Sequence, residues 1–242
     1  NDYYWYFNAN IHRSPHELGQ KASNAYEEAR TVIAEFAGFK ENELIFTRNT
    51  TESINLLSNA LDLSTKDIVL VPWTEHHANL LPWRHAGCDI EYLDLDDEGE
   101  IDLMQLKRTL DRLRGIYHRT IISFAHIGNI NGVVQPYKKI LTLTKAYGAL
   151  VHIDAAQSIS KFRYEHIDFV SFSGHKLYGP TGIGALCIKE QYFKQLKPYQ
   201  VGGGIIAEVK KHTHSFIEGP AMFEAGTPNK AGAIQLHRAC EF

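Results

Sequence analysis

Seven short runs of β-branched and apolar residues, separated by turns and helical patterns, constrain this chain more than any other feature. They are ELIFT (43–47), DIVLV (67–71), DIEYLD (89–94), RTIISFA (119–125), ALVHID (149–154), IDFVSF (167–172) and IGALCI (183–188). Short, nearly continuous apolar runs read as strands buried on both faces. Between them lie helical stretches at 16–38, 51–61, 103–115 and 137–148. Ser14 and Pro15 give the first of these its cap and first-turn signals, and Gly38 stops it. Strands alternating with helices predict an α/β fold of three layers, α/β/α, around a mostly parallel seven-stranded sheet.

At 242 residues, 44% hydrophobic and 22% charged, the chain is long enough to bury a substantial core. Its net charge is −3, and its lysines and arginines are spread rather than clustered, so no nucleic-acid partner is expected. No apolar run reaches the roughly eighteen residues that span a bilayer. The start NDYYWYFNAN has neither a basic nor an apolar leader region, so a soluble, cytoplasmic protein without a membrane partner is expected. Three cysteines, Cys88, Cys187 and Cys240, show no CxxC spacing, which argues against a disulfide framework or a zinc site. Asn49-Thr50-Thr51 matches a glycosylation acceptor pattern, but no secretory signal accompanies it.

Open α/β sheets bind ligands outside the carboxyl ends of their strands. Here those ends read Thr47-Arg48-Asn49-Thr50-Thr51, Pro72-Trp73-Thr74-Glu75-His76-His77, His126-Ile127-Gly128-Asn129, Asp154-Ala155-Ala156-Gln157 and Ser173-Gly174-His175-Lys176. Taken alone, Lys176 is an ordinary solvated lysine; held just beyond an apolar strand it is partly desolvated, and a neutral nucleophilic amine becomes accessible. Asp154 ends an apolar run, so its carboxylate needs a cation or donors, either a protonated ring nitrogen or a structural cap. Thr50 and Thr51 open a helix, as caps or as part of a phosphate site. The adjacent His76 and His77 cannot both face one metal, and no cysteine or carboxylate recurs at ligand spacing, so no metal is expected. A stacking role suits one of these imidazoles better. An amine for an aldehyde, a carboxylate for a pyridinium, an imidazole to stack and hydroxyls for a phosphate are together the needs of pyridoxal 5'-phosphate.

The strings NIHRSPHELGQKASNAYEEAR, FTRNTTESINL, EHHANLLPW, HIGNINGVVQP, HIDAAQ, FSGHKLYGPTGIG, VGGG and FEAGTPN cover nearly the whole chain. In that order and spacing the chain resembles the class V aminotransferase superfamily, in its cysteine desulfurase and selenocysteine lyase branch. The resemblance implies that Lys176 is the Schiff-base lysine and Asp154 the partner of the pyridine nitrogen. It places Gln157 near the cofactor's phenolic oxygen and His76 on its ring. It assigns Thr50, Thr51, Ser173 and His175 to the phosphate, Thr227 to the phosphate of a neighbouring subunit, and Asn129 to the substrate side.

The activity implied is conversion of L-cysteine to L-alanine with sulfur passed on as a persulfide, in a homodimer that serves a sulfur-acceptor protein. Residues 1–228 form the cofactor domain, and 229–242 begin the connecting helix to a small domain of about 150 residues that carries the nucleophilic cysteine and a substrate-binding arginine. None of Cys88, Cys187 and Cys240 matches that nucleophile. Two other readings stay open: another class V aminotransferase or lyase, and a non-catalytic protein with this fold. A nucleotide site is disfavoured because GPTGIG is neither GxGxxG nor GxxxxGK[ST].

Overall fold

The computed structural model describes residues 2–12 and 16–242. Its helices are α1 (Asp2–Tyr6), α2 (Glu17–Ala37), α3 (Thr50–Ala60), α4 (Leu81–His85), α5 (Leu103–Leu113), α6 (Tyr137–Lys145) and α7 (Lys230–Glu241). Its strands are β1 (Leu44–Thr47), β2 (Asp67–Pro72), β3 (Asp89–Leu93), β4 (Arg119–Ala125), β5 (Leu150–Asp154), β6 (Phe169–Ser173), β7 (Gly184–Ile188), β8 (Ile206–Val209) and β9 (His214–Phe216). All seven expected strands are present, in one sheet of order β1-β7-β6-β5-β4-β2-β3. Six run in one direction; β7 alone is antiparallel to both its neighbours.

Alternating side chains send each strand into two separate cores. Leu44, Phe46, Ile68 and Leu70 join the cluster beneath α2, α5, α6 and α7. Ile45, Val69 and Val71 join the cluster with Ile54 and Leu57 of α3 and Trp83 of α4. This is the expected α/β/α sandwich. Each fully buried Ile or Leu contributes on the order of 2 kcal/mol of transfer free energy, before cavity terms.

Local signals set the helix ends. The Ser14 and Pro15 start signals lie outside the described residues; α2 opens after His16, whose Nδ1 accepts from Gly19 N at 3.2 Å. At its other end Gly38 adopts φ 91°, a left-handed cap. A Cβ there would also sit 2.2 Å from Tyr164 O. Helix α3 begins one residue before the expected 51, because Asn49 is its N-cap and accepts from Glu52 N at 2.9 Å. The asparagine of the glycosylation-like triplet is thus a structural cap. The EHHANLLPW segment forms only a 3-10 turn, His77–Asn79, and the five-residue α4. The exposed β8–β9 hairpin was not expected from the sequence.

Candidate active site

Because β1, β2, β4, β5 and β6 share a direction, their carboxyl ends bring Thr47, Pro72, Ala125, Asp154 and Ser173 to one edge. The antiparallel β7 starts there, with Gly184 opposite Ser173. A side chain at Gly184 would meet Asn49 Cα at 2.9 Å, so glycine lets the start of α3 sit against the end of β6. Ser173 Oγ accepts from Thr50 N at 2.8 Å and lies 2.7 Å from Thr50 Oγ1. Both residues are buried, whereas Thr51 and His175 are exposed. Thr51 N makes no hydrogen bond among the described residues, so an N–H and a hydroxyl at this helix N-terminus are available to an anion.

Asp154 is 5% exposed and accepts one side-chain hydrogen bond among the described residues, from Ala156 N to Oδ1 at 2.9 Å. Burial pushes its carboxyl above the usual carboxylate range, while the Ala156 N–H and the charges of Lys176 and His76 oppose that rise. Lys176 and His76 therefore share the field of Asp154, and the carboxylate is short of donors. The desolvation expected of Lys176 is not observed. It ends a 3-10 turn, Gly174–Lys176, at the sheet's carboxyl edge and is exposed. Its amine is accessible through position rather than through burial. Close packing sets this turn: a Cβ on Gly179 would stand 2.9 Å from Gly174 O.

His76 caps the turn that follows β2, and its Nδ1 accepts from Ala78 N at 3.0 Å. With Nδ1 accepting, the ring's N–H is on Nε2. His76, Glu75 and Asn129 line one cavity of about 130 Å³. Gln157, on the turn after Asp154, is exposed. Thr227 is not brought into this group; it lines a separate cavity with Arg48, Gly182 and Asn229.

Sequence reasoning passed over Glu75. Its Oε1 accepts from Ala125 N at 2.9 Å and its Oε2 from Asn79 Nδ2 at 2.7 Å. Burial, with the charge of Asp154 adding to it, pushes this carboxyl up to about 7. The available signal was the one that picked out Asp154, a carboxylate just beyond an apolar strand. His126 was noted only as a strand end; it is buried against Tyr137, Phe162 and Tyr164, and burial lowers it to about 4.

The three cysteines are poorly prepared as nucleophiles. Cys187 is fully buried in β7, and burial pushes its thiol well up. Burial raises Cys88 as well, and pushes Cys240 up to about 12.

A family model described as Aminotransferase class-V matches residues 1–242. A probable cysteine desulfurase of Pyrococcus abyssi is 38% identical over 97% of this chain and 60% of its own length. A cysteine desulfurase of Synechococcus elongatus is 38% identical over 99% of this chain and 40% of its own length. The chain therefore spans between 40% and 60% of these two relatives. The apo structure of cysteine desulfurase from Thermococcus onnurineus NA1 shares 37% identity with a TM-score of 0.92, covering 99% of this chain and 61% of that one. A structure described as SspA in complex with cysteine is 28% identical, with a TM-score of 0.81, over all of this chain and 67% of that one. Fold, strand-end chemistry and relatives agree: the chain belongs to the class V aminotransferase family, whose members depend on pyridoxal phosphate.

Proposed function

We propose that this chain is the cofactor-binding part of a cysteine desulfurase that takes sulfur from L-cysteine or a related amino acid and leaves alanine. Residues 1–228 form the cofactor domain. Residues 229–242, whose α7 packs against α2, begin the connecting helix. In this reading the protein works as a homodimer, Thr227 reaches the neighbouring subunit's phosphate, and the sulfur passes to an acceptor protein.

One observation carries the reading: a buried carboxylate, Asp154, with a single donor among the described residues, in the field of an accessible amine and an imidazole. A protonated pyridine nitrogen meets the need of that carboxylate. Pyridoxal phosphate, when bound, supplies an electron sink for charge developing on the substrate's α-carbon. The chain's own groups do the rest. Lys176 would hold the cofactor through its aldehyde carbon, and its Nζ would serve to carry the α-proton. His76 would cover the ring, and Gln157 would donate toward the phenolic oxygen. Thr50, Thr51, Ser173 and His175 gather the phosphate at the positive end of α3. Asn129 stands on the substrate side.

None of Cys88, Cys187 and Cys240 is fitted to attack the substrate sulfur, so these 242 residues alone are expected to bind cofactor without forming persulfide from cysteine. Cofactor uptake is followed by a visible absorbance band that borohydride bleaches. Loss of the band in Lys176→Ala supports the assignment, and an undiminished band in that variant refutes it.

A further inference from the structure

A run of buried hydrogen bonds beneath Asp154 has one polarity, set by Trp83. Its indole N–H can only donate, and it points at Asn79 Oδ1 (3.2 Å) and Ser123 Oγ (3.1 Å). The amide oxygen of Asn79 must therefore face Trp83, which leaves Nδ2 to donate to Glu75 Oε2 at 2.7 Å. Ser123 Oγ donates its one proton to Asn79 Oδ1 at 2.6 Å. Its remaining contact, His152 Nδ1 at 2.8 Å, must then be a donor. Nε2 of the same ring is left to accept from Ser171 Oγ at 2.9 Å. Each link from Ser171 through His152, Ser123 and Asn79 donates toward Glu75. Aligned donors of this kind reinforce one another in a low-dielectric interior.

The second donor to Glu75, Ala125 N, belongs to the residue paired with Asp154 across β4 and β5. His126 N in turn donates to Asp154 O at 3.1 Å. Glu75, in the turn after β2, thus reaches the end of β4 at the residue paired with Asp154 of β5; it has five side chains arranged behind it and, among the described residues, no cation in an ion pair with it. The groups around them are Asp154 from β5, His76 in the same turn, Lys176 after β6, and His126 and His152, whose rings burial keeps uncharged.

We propose that Glu75 is a positioning residue: its carboxylate ties the His76 turn to the end of β4 and adds a second negative charge that keeps the cofactor's ring nitrogen protonated against Asp154. The inference rests on the cofactor reading above. The half-buried Glu75 carboxylate and the buried Asp154 repel each other when nothing lies between them, and a bound cationic ring removes that penalty. Glu75→Gln is a sharp test, because the two donors meet different carboxylate oxygens, and in glutamine one of those positions is an NH2 that faces Ala125 N or Asn79 Nδ2 and cannot accept from it. Trp83 and Ser123 prevent Asn79 from turning over to compensate.

The test uses the 242-residue chain with added pyridoxal phosphate. Wild type is first checked for the borohydride-fixed adduct on Lys176; its absence sinks the cofactor reading itself. The absorbance of bound cofactor is then titrated with pH in wild type, Glu75→Gln and Glu75→Asp. Removal of the charge in Glu75→Gln is expected to lower the titration midpoint by about one pH unit and weaken cofactor binding about tenfold, and Glu75→Asp to restore most of the midpoint. A purely structural role lowers thermal stability and leaves the midpoint in place, so an unmoved midpoint in folded Glu75→Gln overturns the proposal. Should that variant not fold, Asn79→Ala, which removes the donor to Glu75, is expected to shift the midpoint in the same direction, and an unshifted midpoint there also overturns it.

Discussion

Replacing Glu224 by alanine should cost the fold about 4 kcal/mol. Glu224 lies in FEAGTPN, the loop that carries Thr227, and its carboxylate accepts four hydrogen bonds. They come from Arg30 Nη1 (2.8 Å) and Nη2 (2.9 Å), Tyr26 OH (3.0 Å) and Phe46 N (2.7 Å). The Arg30 side chain is 9% exposed, and against the pull of burial the Glu224 carboxylate holds it well above its ordinary value. Removing one partner of a buried pair leaves an uncompensated charge, at roughly 3–5 kcal/mol. Glu27 Oε2 at 3.0 Å and Leu44 O at 2.9 Å still bond Arg30, which keeps the loss within that range. Tyr26 OH and Phe46 N lose an acceptor too, although such terms do not add fully.

Urea denaturation measures the effect directly. With a slope of about 2.5 kcal/mol/M, the midpoint in Glu224→Ala should fall by about 1.6 M at unchanged slope. The double variant Arg30→Met with Glu224→Ala removes the orphaned charge and should recover more than half of the loss. A loss under about 1 kcal/mol in the single variant, or a double variant less stable than the single one, refutes the reasoning.

Two further outcomes follow from the same physics. His126 is held neutral, with its value lowered from 6.5 to about 4, so the unfolded chain binds the proton first as pH falls. Its contribution is present above about pH 6.5 and is lost toward pH 4, a ceiling of about 3 kcal/mol. His126→Phe should therefore flatten the fall in stability between those pH values, and an unchanged slope in denaturation midpoint against pH speaks against it. Ser173→Ala strips Thr50 N and Oγ1 of their buried partner and should lower cofactor-free stability by about 1–3 kcal/mol. A melting temperature equal to wild type contradicts that pairing.

What the residues revealed depended on whether the deciding interaction was local. The seven strands were legible because buried parallel strands are short apolar runs. The reversal of β7 was not, since GALCI reads the same in either direction and its pairing with β1 and β6 is set by distant residues. Asp154 stood out because a carboxylate closing the apolar run ALVHID needs a cation or donors, and the local Ala156 N–H supplies only one. Glu75 is the same kind of residue, but its donors come from Asn79 and from Ala125 of β4, so its setting appears only in three dimensions. The desolvation expected of Lys176 failed for a related reason: a strand's buried character stops at its end, and the 3-10 turn after Ser173 leaves the lysine exposed at the sheet's carboxyl edge. The β8–β9 hairpin was missed because its strands are short and mostly exposed, with little apolar patterning to betray them.

The most direct test of the central claim is the mass of peptides from the cofactor-loaded chain after borohydride reduction. One phosphopyridoxyl group on the peptide that contains Lys176, absent from Lys176→Ala, is the predicted result. An adduct on a different lysine, or none while the chain is folded, contradicts the assignment of this strand-end cluster as a pyridoxal phosphate site.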